Sequence, residues 1–403
     1  MVLRVQYPSI MAQYNLSPET VAVQDEDAWE IPRFGVKIAT RRGLVPETLK
    51  PMIDKRVTLK RILKTMEKAD PRRRRYKSQA DAMKNLGIVS NGRMGFANSI
   101  FGRINAFEAI SYIGRKIILQ ARAIAEEHGF RVLHMYVDSL FLAKDGATTP
   151  EDFRAVMDEI EAVTKLPIDL EDVYSWIAFV SSRRDPDVPV SNRFYCRKSN
   201  GEFKIRGLAQ RRRDTCEFVR EVQVLALNVL GQEQDPKRLM NLLPQLVEIV
   251  KERCAALQAG MIPLEELIVT QTLSRELSEY EASSALRTAA TQLEAAGKKM
   301  NMGQIVRYVH TRGKPGAYAW DPPAAPKPNM IKVLHYKELV LRAIWEVVQP
   351  LGVTEGLLKD WILGKASYIH VGDFPKVKEL RFDSELPLFA KLNSFEKKLI
   401  QIV

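Results

Sequence analysis

Between Asn105 and His128 the apolar residues Phe107, Ile110, Ile113, Ile117, Ala121 and Ile124 recur at helical spacing, and at Gly129 that period stops. Phe130 to Tyr136 and Leu140 to Ala143 follow as two short apolar runs joined by a tight turn that carries Asp138 and Ser139, the pattern of a β-hairpin. A long amphipathic helix must bury its stripe against another layer, and here the next segment supplies strands. The change of period therefore sets the class as α+β.

Other segments fit around this unit. Residues 2–10 read as a short strand, with Val2, Leu3 and Val5 leading into Tyr7-Pro8-Ser9. Pro46, Leu49, Met52, Ile53, Val57, Leu63 and Met66 mark an amphipathic helix that ends near Asp70-Pro71, and a second helix is expected from about Tyr76 to Gly87. Together they form a basic helical hairpin with the run Arg72 to Arg75 at or beside its turn. Thr149-Pro150-Glu151-Asp152 has the cap, proline and acids of a helix start. A further hairpin is expected at 194–197 and 202–208, joined by Lys198-Ser199-Asn200-Gly201. Beyond Asp214 the chain reads as largely helical to about residue 300. A proline-rich loop from Asp321 to Pro328 then precedes two more helices and a tail, and no internal repeat stands out.

Charge narrows the function classes. The 403 residues hold 61 Lys and Arg against 49 Asp and Glu, a formal charge of +12, with 46% hydrophobic and 27% charged residues. That composition is of globular rather than disordered type. There is no apolar run of about 18 residues, as a membrane helix would need. The first residues lack the pattern of a signal peptide, and Cys196, Cys216 and Cys254 are too few and too spread for a disulfide framework or a zinc pair. An intracellular, multi-lobed, basic protein with a polyanionic partner is the expectation. The surplus is clustered. Residues 41–75 contain thirteen cations against four acids, and residues 191–213 contain eight against one. Two dense runs suggest an extended phosphate-tracking surface, although each alone also suits a solvated helix face.

In order along the chain, several segments resemble the polymerase module of family B DNA polymerases. Tyr7-Pro8-Ser9-Ile10 and the downstream Tyr14-Asn15-Leu16-Ser17-Pro18-Glu19-Thr20 resemble the SLYPSI and YNxSPxT motifs. Gly43 to Glu47 with Arg56 and Lys60 resembles the first fingers helix. Lys84 with Gly92 and Gly95 resembles the KxxxNSxYGxxG motif, and Phe101-Gly102-Arg103 the segment after it. Tyr136-Val137-Asp138-Ser139 occupies the place of the YxDTDS hairpin, and Arg193-Phe194, Lys204 to Gly207 and Arg212-Arg213-Asp214 are similar to the KKRY and KG…RRD segments. The resemblance implies a right hand: palm at 1–40 and 105–213, with the hairpin at 134–141, helical-hairpin fingers at 41–104 and a mainly helical thumb at 214–403. No exonuclease domain is expected within this sequence.

It also implies site residues. Polymerases of this kind transfer nucleotides with two Mg²⁺ ions held by carboxylates. Asp138 matches the last hairpin aspartate and is the candidate metal ligand and catalytic residue, or else a turn residue satisfied by local amides. Five residues before Tyr7, where the family has another aspartate, stands Val2. Tyr136 stands where the first hairpin aspartate belongs, unless the hairpin is two residues shorter. After Lys84 the sequence reads Ile88-Val89-Ser90-Asn91 in place of the motif's Asn-Ser-x-Tyr. Weak binding of Mg²⁺, with Mn²⁺ as a substitute, is expected from so few oxygen ligands, and the pattern resembles a degenerate, inactivated prokaryotic branch of the family. Tyr7, Arg56, Lys60 and Lys84 are the candidate contacts to an incoming dNTP. Gly92, Gly95, Arg193, Lys204, Arg206, Arg212 and Arg213 are those to primer-template DNA. The five histidines show no ligand spacing. The expected role is an accessory one in DNA replication, repair or damage tolerance, in the cytoplasm at the nucleoid and without a membrane partner. Two alternatives stand beside it: a low-activity DNA-directed DNA polymerase completed by a separate exonuclease chain in a split gene or by unusual ligands, and a protein-interaction module, for instance toward other repair proteins, with an ancestral basic surface.

Overall fold

The computed structural model describes residues 2–4, 7–31, 34–137, 139–182, 185, 188–321, 326–363 and 365, and the chain divides into two compact units between Val173 and Tyr174. Elements of the first unit are β1 (Val2–Arg4), α1 (Tyr7–Gln13), β2 (Trp29–Ile31), β3 (Val36–Ile38), α2 (Leu44–Thr65), α3 (Arg72–Met94), α4 (Ile104–Glu127), β4 (Arg131–Tyr136), β5 (Ser139–Ala143) and α5 (Arg154–Thr164).

The apolar spacing of residues 105–128 produces α4, whose buried stripe includes Ile110, Ile113, Ile117, Ile118 and Ile124. Each such side chain contributes roughly 1.5–3 kcal/mol on burial, so α4 is the spine of this core. Gly129 takes the left-handed conformation that ends the helix, with φ +76°. The chain then turns into the antiparallel hairpin of β4 and β5, in register Tyr136↔Ser139. Strand β1 joins the free edge of β5 with Val2↔Phe141 and Arg4↔Ser139, giving the order β1-β5-β4.

The strand expected over residues 2–10 ends at Arg4, and Tyr7-Pro8-Ser9 opens α1 instead. Pro8 lies in the first helical turn, where a missing N–H costs nothing. The basic hairpin is longer than its apolar pattern implies. Its second helix covers Arg72–Met94 and buries only Ala80, Gly87 and Met94 of its 23 residues. With so thin a seam, periodicity understates the helix. The arginine run forms its first turn. There the Arg73 Nη1 donates to the Leu63 and Met66 carbonyls at 2.8 and 2.7 Å, closing the end of α2. Asp70 accepts from the Arg72 N–H at 2.8 Å.

Elements of the second unit are β6 (Tyr174–Ser181), β7 (Pro189–Lys198), β8 (Phe203–Arg206), α6 (Glu217–Leu230), α7 (Leu243–Gln258), β9 (Val269–Thr272), α8 (Ala285–Ala295), β10 (Ile305–His310), β11 (Ala317–Ala319), α9 (Val333–Val348) and α10 (Glu355–Ile362). The hairpin expected at 194–208 is β7–β8, and β6 extends it to a three-stranded sheet. A second sheet, β11-β10-β9, was not legible as such: the segment after Asp214 reads as helical, yet Val269–Thr272 pairs with Ile305–Tyr308 across more than thirty residues. Helix α6 carries the core here, with Phe218, Val222, Ala226 and Leu230 buried in one cluster with Tyr336, Val340 and Ile344 of α9. The three cysteines are buried free thiols. Among the described residues no helix is long and apolar enough to cross a membrane.

Candidate nucleotide cavity and nucleic-acid interface

The segment Tyr14 to Thr20 is a polar knot that fixes the base of α2. Asn15 adopts φ +56°, a conformation asparagine tolerates better than most residues. Its Nδ2 donates to the Ala39 and Arg41 carbonyls at 2.9 and 2.7 Å, and its Oδ1 accepts from the Gly43 N–H at 2.8 Å. The Ser17 hydroxyl donates to Glu19 at 2.6 Å and accepts from the Val45 N–H at 3.2 Å, while Glu19 also accepts from the Leu44 N–H at 2.5 Å. The open amides at the start of α2 thereby find acceptors beside a negative charge, which the helix dipole favours. Burial raises the Glu19 carboxyl, but the bonds from Ser17 and Leu44 outweigh it and hold the group below its ordinary value. Gly43 leaves no room for a side chain here, since a Cβ would meet the Ser17 Cβ at 2.6 Å.

Helices α1, α2 and α3 then enclose a cavity of about 520 Å³ whose walls include Tyr7, Arg56, Lys60, Lys84, Asn91 and Asp169. The close approach is set by glycine. A Cβ at Gly87 would come within 2.7 Å of the Pro8 ring, and one at Gly114 within 3.1 Å of the Tyr7 ring. Tyr7 is therefore both packed on α4 and a wall of the cavity. Lys60 lies one turn from Arg56 and Lys64 on α2, and Lys84 faces them from α3. All four residues proposed to contact a nucleotide thus share one cavity. An adjoining groove of about 770 Å³ shares Ser9, Ile53 and Arg61 with it and adds Arg42, Lys50 and Lys165.

Asp169 went unremarked in the sequence. It forms ion pairs with Lys60 and, at 3.4 Å, with Lys64. Burial raises the Asp169 carboxyl, yet the hydrogen bond and charge of Lys60, followed by Lys64, leave it below the ordinary value. Nothing in the local sequence marks this acid, because its partners lie over a hundred residues away.

Gly92 and Gly95 do not line this cavity. Gly92 has open space where its Cβ would lie, and Gly95 ends α3 against the Phe107 ring. The remaining candidates belong to the second unit. Arg193 is half-buried and its Nη2 bonds Glu346 at 2.5 Å. Lys204 lies over the rings of Tyr174 and Phe194, at 5.9 and 6.0 Å. Arg212 pairs with Asp214 at 3.3 Å. Arg206 and Arg213 are exposed. Gly207 has φ +66°, and a Cβ there would sit 2.5 Å from the Asn192 carbonyl oxygen, so the strand end at 206–207 requires glycine.

Residues 5–349 match the family model described as DNA polymerase family B. The chain belongs to that family. The DNA polymerase of Archaeoglobus fulgidus is 29% identical over 311 residues, covering 76% of this chain and 37% of the relative. DNA polymerase 2 of Aeropyrum pernix is 26% identical over 364 residues, covering 88% and 43%. The chain spans less than half the length of these curated relatives. The structure of the family B DNA polymerase from the hyperthermophilic archaeon Pyrobaculum calidifontis matches with a TM-score of 0.59 and 24% identity, over 88% of this chain and 45% of that one. That match shows a shared fold.

Family B DNA polymerases use divalent metal ions, which allows the donor set to be tested. The register of β1 on β5 puts position 2 in the same small sheet as the hairpin, where it is valine, and position 136 at the hairpin end is tyrosine. Neither offers the hard oxygen anion that Mg²⁺ selects. Asp138 lies outside the described residues. Among the described residues no three His, Cys, Asp or Glu side chains are placed to hold a metal ion. The described donors do not fit a two-metal centre. His370 also lies outside the described residues. His128 pairs with Glu159 at 2.6 Å, and His310 and His335 contact each other with ring centroids 4.0 Å apart.

Proposed function

We propose that this chain is a family B polymerase-like module that binds primer-template DNA and the triphosphate of a nucleotide but does not carry out two-metal nucleotidyl transfer at ordinary rates. One observation carries the reading: Arg56, Lys60 and Lys84 line one cavity, whereas Val2 stands where the family pattern has one carboxylate and the first hairpin aspartate is either replaced by Tyr136 or deleted. Cations that grip phosphate need no metal, so binding outlasts catalysis. Loss of the metal clamp removes the main stabilisation of transition-state charge. The division into palm, fingers and thumb at 40/41, 104/105 and 213/214 belongs to the same proposal, as does a cytoplasmic, nucleoid-associated role in replication, repair or damage tolerance.

Primer extension with Mg²⁺ or Mn²⁺, comparing the wild type with Asp138→Ala, tests the catalytic half. Little or no extension by either protein is expected; robust extension abolished by Asp138→Ala overturns the reading. For the binding half, neutralising Arg206 and Arg213 to Gln should lower the slope of log affinity against log salt by about two and leave the unfolding midpoint unchanged. An unchanged slope removes these residues from the DNA face.

A further inference from the structure

The segment after α5 is built to hold one carboxylate in place. Thr164 Oγ1 donates to the Ile160 carbonyl at 2.6 Å, Lys165 leaves the helix with φ +56°, and the Ile168 N–H donates to Glu161 Oε1 at 2.5 Å. Leu166 and Ile168 are buried as anchors on either side of Pro167. The next residue, Asp169, is thus presented from a fixed turn into the wall of the cavity, where it meets Lys60 and Lys64, one helical turn apart on α2. A carboxylate and a phosphate oxygen make the same charge-assisted bond to an ammonium group.

We propose that Asp169 is an internal competitor for the phosphates of a nucleotide: its carboxylate occupies Lys60 and Lys64 in the ligand-free protein, and a triphosphate binds by displacing it. The proposal rests on the nucleotide-cavity reading above and adds its regulation. The Lys60 and Asp169 side chains are each about one-third exposed, so the pair is neither sealed nor fully screened. Such a contact holds the cavity closed to weak anions, yet it is weak enough for a polyanion with several phosphates to open it. In a chain without a full carboxylate set for metal, the same arrangement ties phosphate binding to release of the Asp169 side chain from Lys60 and Lys64 rather than to an ion.

The test is calorimetric titration of the full chain with inorganic tripolyphosphate in EDTA at low salt. Asp169→Asn should bind about tenfold more tightly than wild type, because it removes both the competing bond and the repulsion of the incoming charge. Asp145→Asn, the same change of net charge at an exposed loop residue outside both cavities, should bind as wild type does. Lys60→Gln should lose most of the affinity in either background. Asp169→Ser serves as a second variant should the amide disturb the turn. Equal affinity of wild type and both Asp169 variants, with Lys60→Gln still weakened, overturns the competitor role and leaves the cavity reading standing. Absence of binding in every variant overturns the cavity reading itself.

Discussion

Residues 41–75 and 191–213 hold surpluses of nine and seven positive charges, yet their cations meet different partners. In the first segment Arg56, Lys60, Arg61 and Lys64 line a cavity, and their acidic neighbour Asp169 comes from a separate turn. In the second, Arg197 is 6% exposed and bonds the Gly231 carbonyl at 2.7 Å, Arg193 is tied to Glu346, and Lys204 lies on two aromatic rings. The α2 part of the first segment sets its cations around a space that a ligand can enter, while Arg72 and Arg73 bond locally at the turn. The second segment uses much of its charge as internal bonding, leaving Arg206, Arg211 and Arg213 at the surface. Charge density alone therefore does not identify an interface; the partner of each cation decides.

The largest effect should come from breaking the internal bonds of the second segment. Glu346 is 4% exposed and accepts from Arg193, from the Ala209 N–H at 2.9 Å and from Gln223 Nε2 at 3.3 Å. It ties β7, the turn before α6, and α6 itself to α9. Glu346→Ala should cost roughly 3 kcal/mol in urea unfolding, since it takes the carboxylate from the half-buried Arg193 and the acceptor from the buried Ala209 N–H. Arg193→Ala should cost less, about 2 kcal/mol, because Glu346 keeps its two neutral donors. A loss below about 1 kcal/mol for both would mean that Arg193 is as free as the cavity lysines, and the contrast between segments would fail.

Acid should act next, and on the second unit. Burial, the contact with His335 and the charge of Lys332 push the His310 imidazole down to about 4, and His335 is lowered too, chiefly by burial, with Glu338 opposing and Lys332 and Arg342 assisting. Tyr308 and Tyr336 complete its surroundings. The folded state thus resists a proton that the unfolded chain accepts near pH 6.5. Stability is full above that pH, falls as pH drops from 6.5 toward 4, and levels off below. About 2 kcal/mol should be lost across this window once solvent screening is allowed for. His310→Gln should flatten that part of the profile, with the His335 share remaining. Glu19 and Asp169 act in the first unit in a lower range, because their carboxyls are held below the ordinary values and give up their contribution only as pH falls through those. A profile for His310→Gln as steep as that of the wild type would contradict the assignment.

What the sequence made legible was local. Helix α4, the hairpin after Gly129 and the cap around Asp152 rest on spacings within a few residues, and the structure has them within a residue or two of their expected bounds. Tyr7, Arg56, Lys60 and Lys84 could be named only through resemblance to a family, since their common cavity depends on α3 crossing Pro8 at Gly87. Partners distant in sequence were not legible at all. Asp169 meets Lys60 across 109 residues, and Glu346 meets Arg193 across 153. An acid in Thr164 to Glu171 looks like any surface acid until the turn that aims it is known. Sheet β11-β10-β9 was missed for the same reason, its short strands being defined by pairing rather than by pattern.

The smallest effects should come from the first segment, and they sharpen the comparison most. Lys64 is 68% exposed on its side chain and stands 3.4 Å from Asp169, so Lys64→Gln should change stability by less than about 0.5 kcal/mol. Lys60 is closer and less exposed. A double-mutant cycle of Lys60→Ala with Asp169→Ala, read in urea unfolding, should give a coupling of roughly 0.5–1 kcal/mol. The magnitude matters because it sets what a ligand must overcome: a coupling near that of a buried pair would lock the cavity, and a coupling of zero would leave Asp169 irrelevant to it. A value of several kcal/mol, matching Glu346 with Arg193, would place Lys60 among the structural cations and erase the difference between the two segments. A small, salt-sensitive coupling would keep the pair exchangeable, with the lysines stable enough to hold a carboxylate and weakly enough committed to give it up to phosphate.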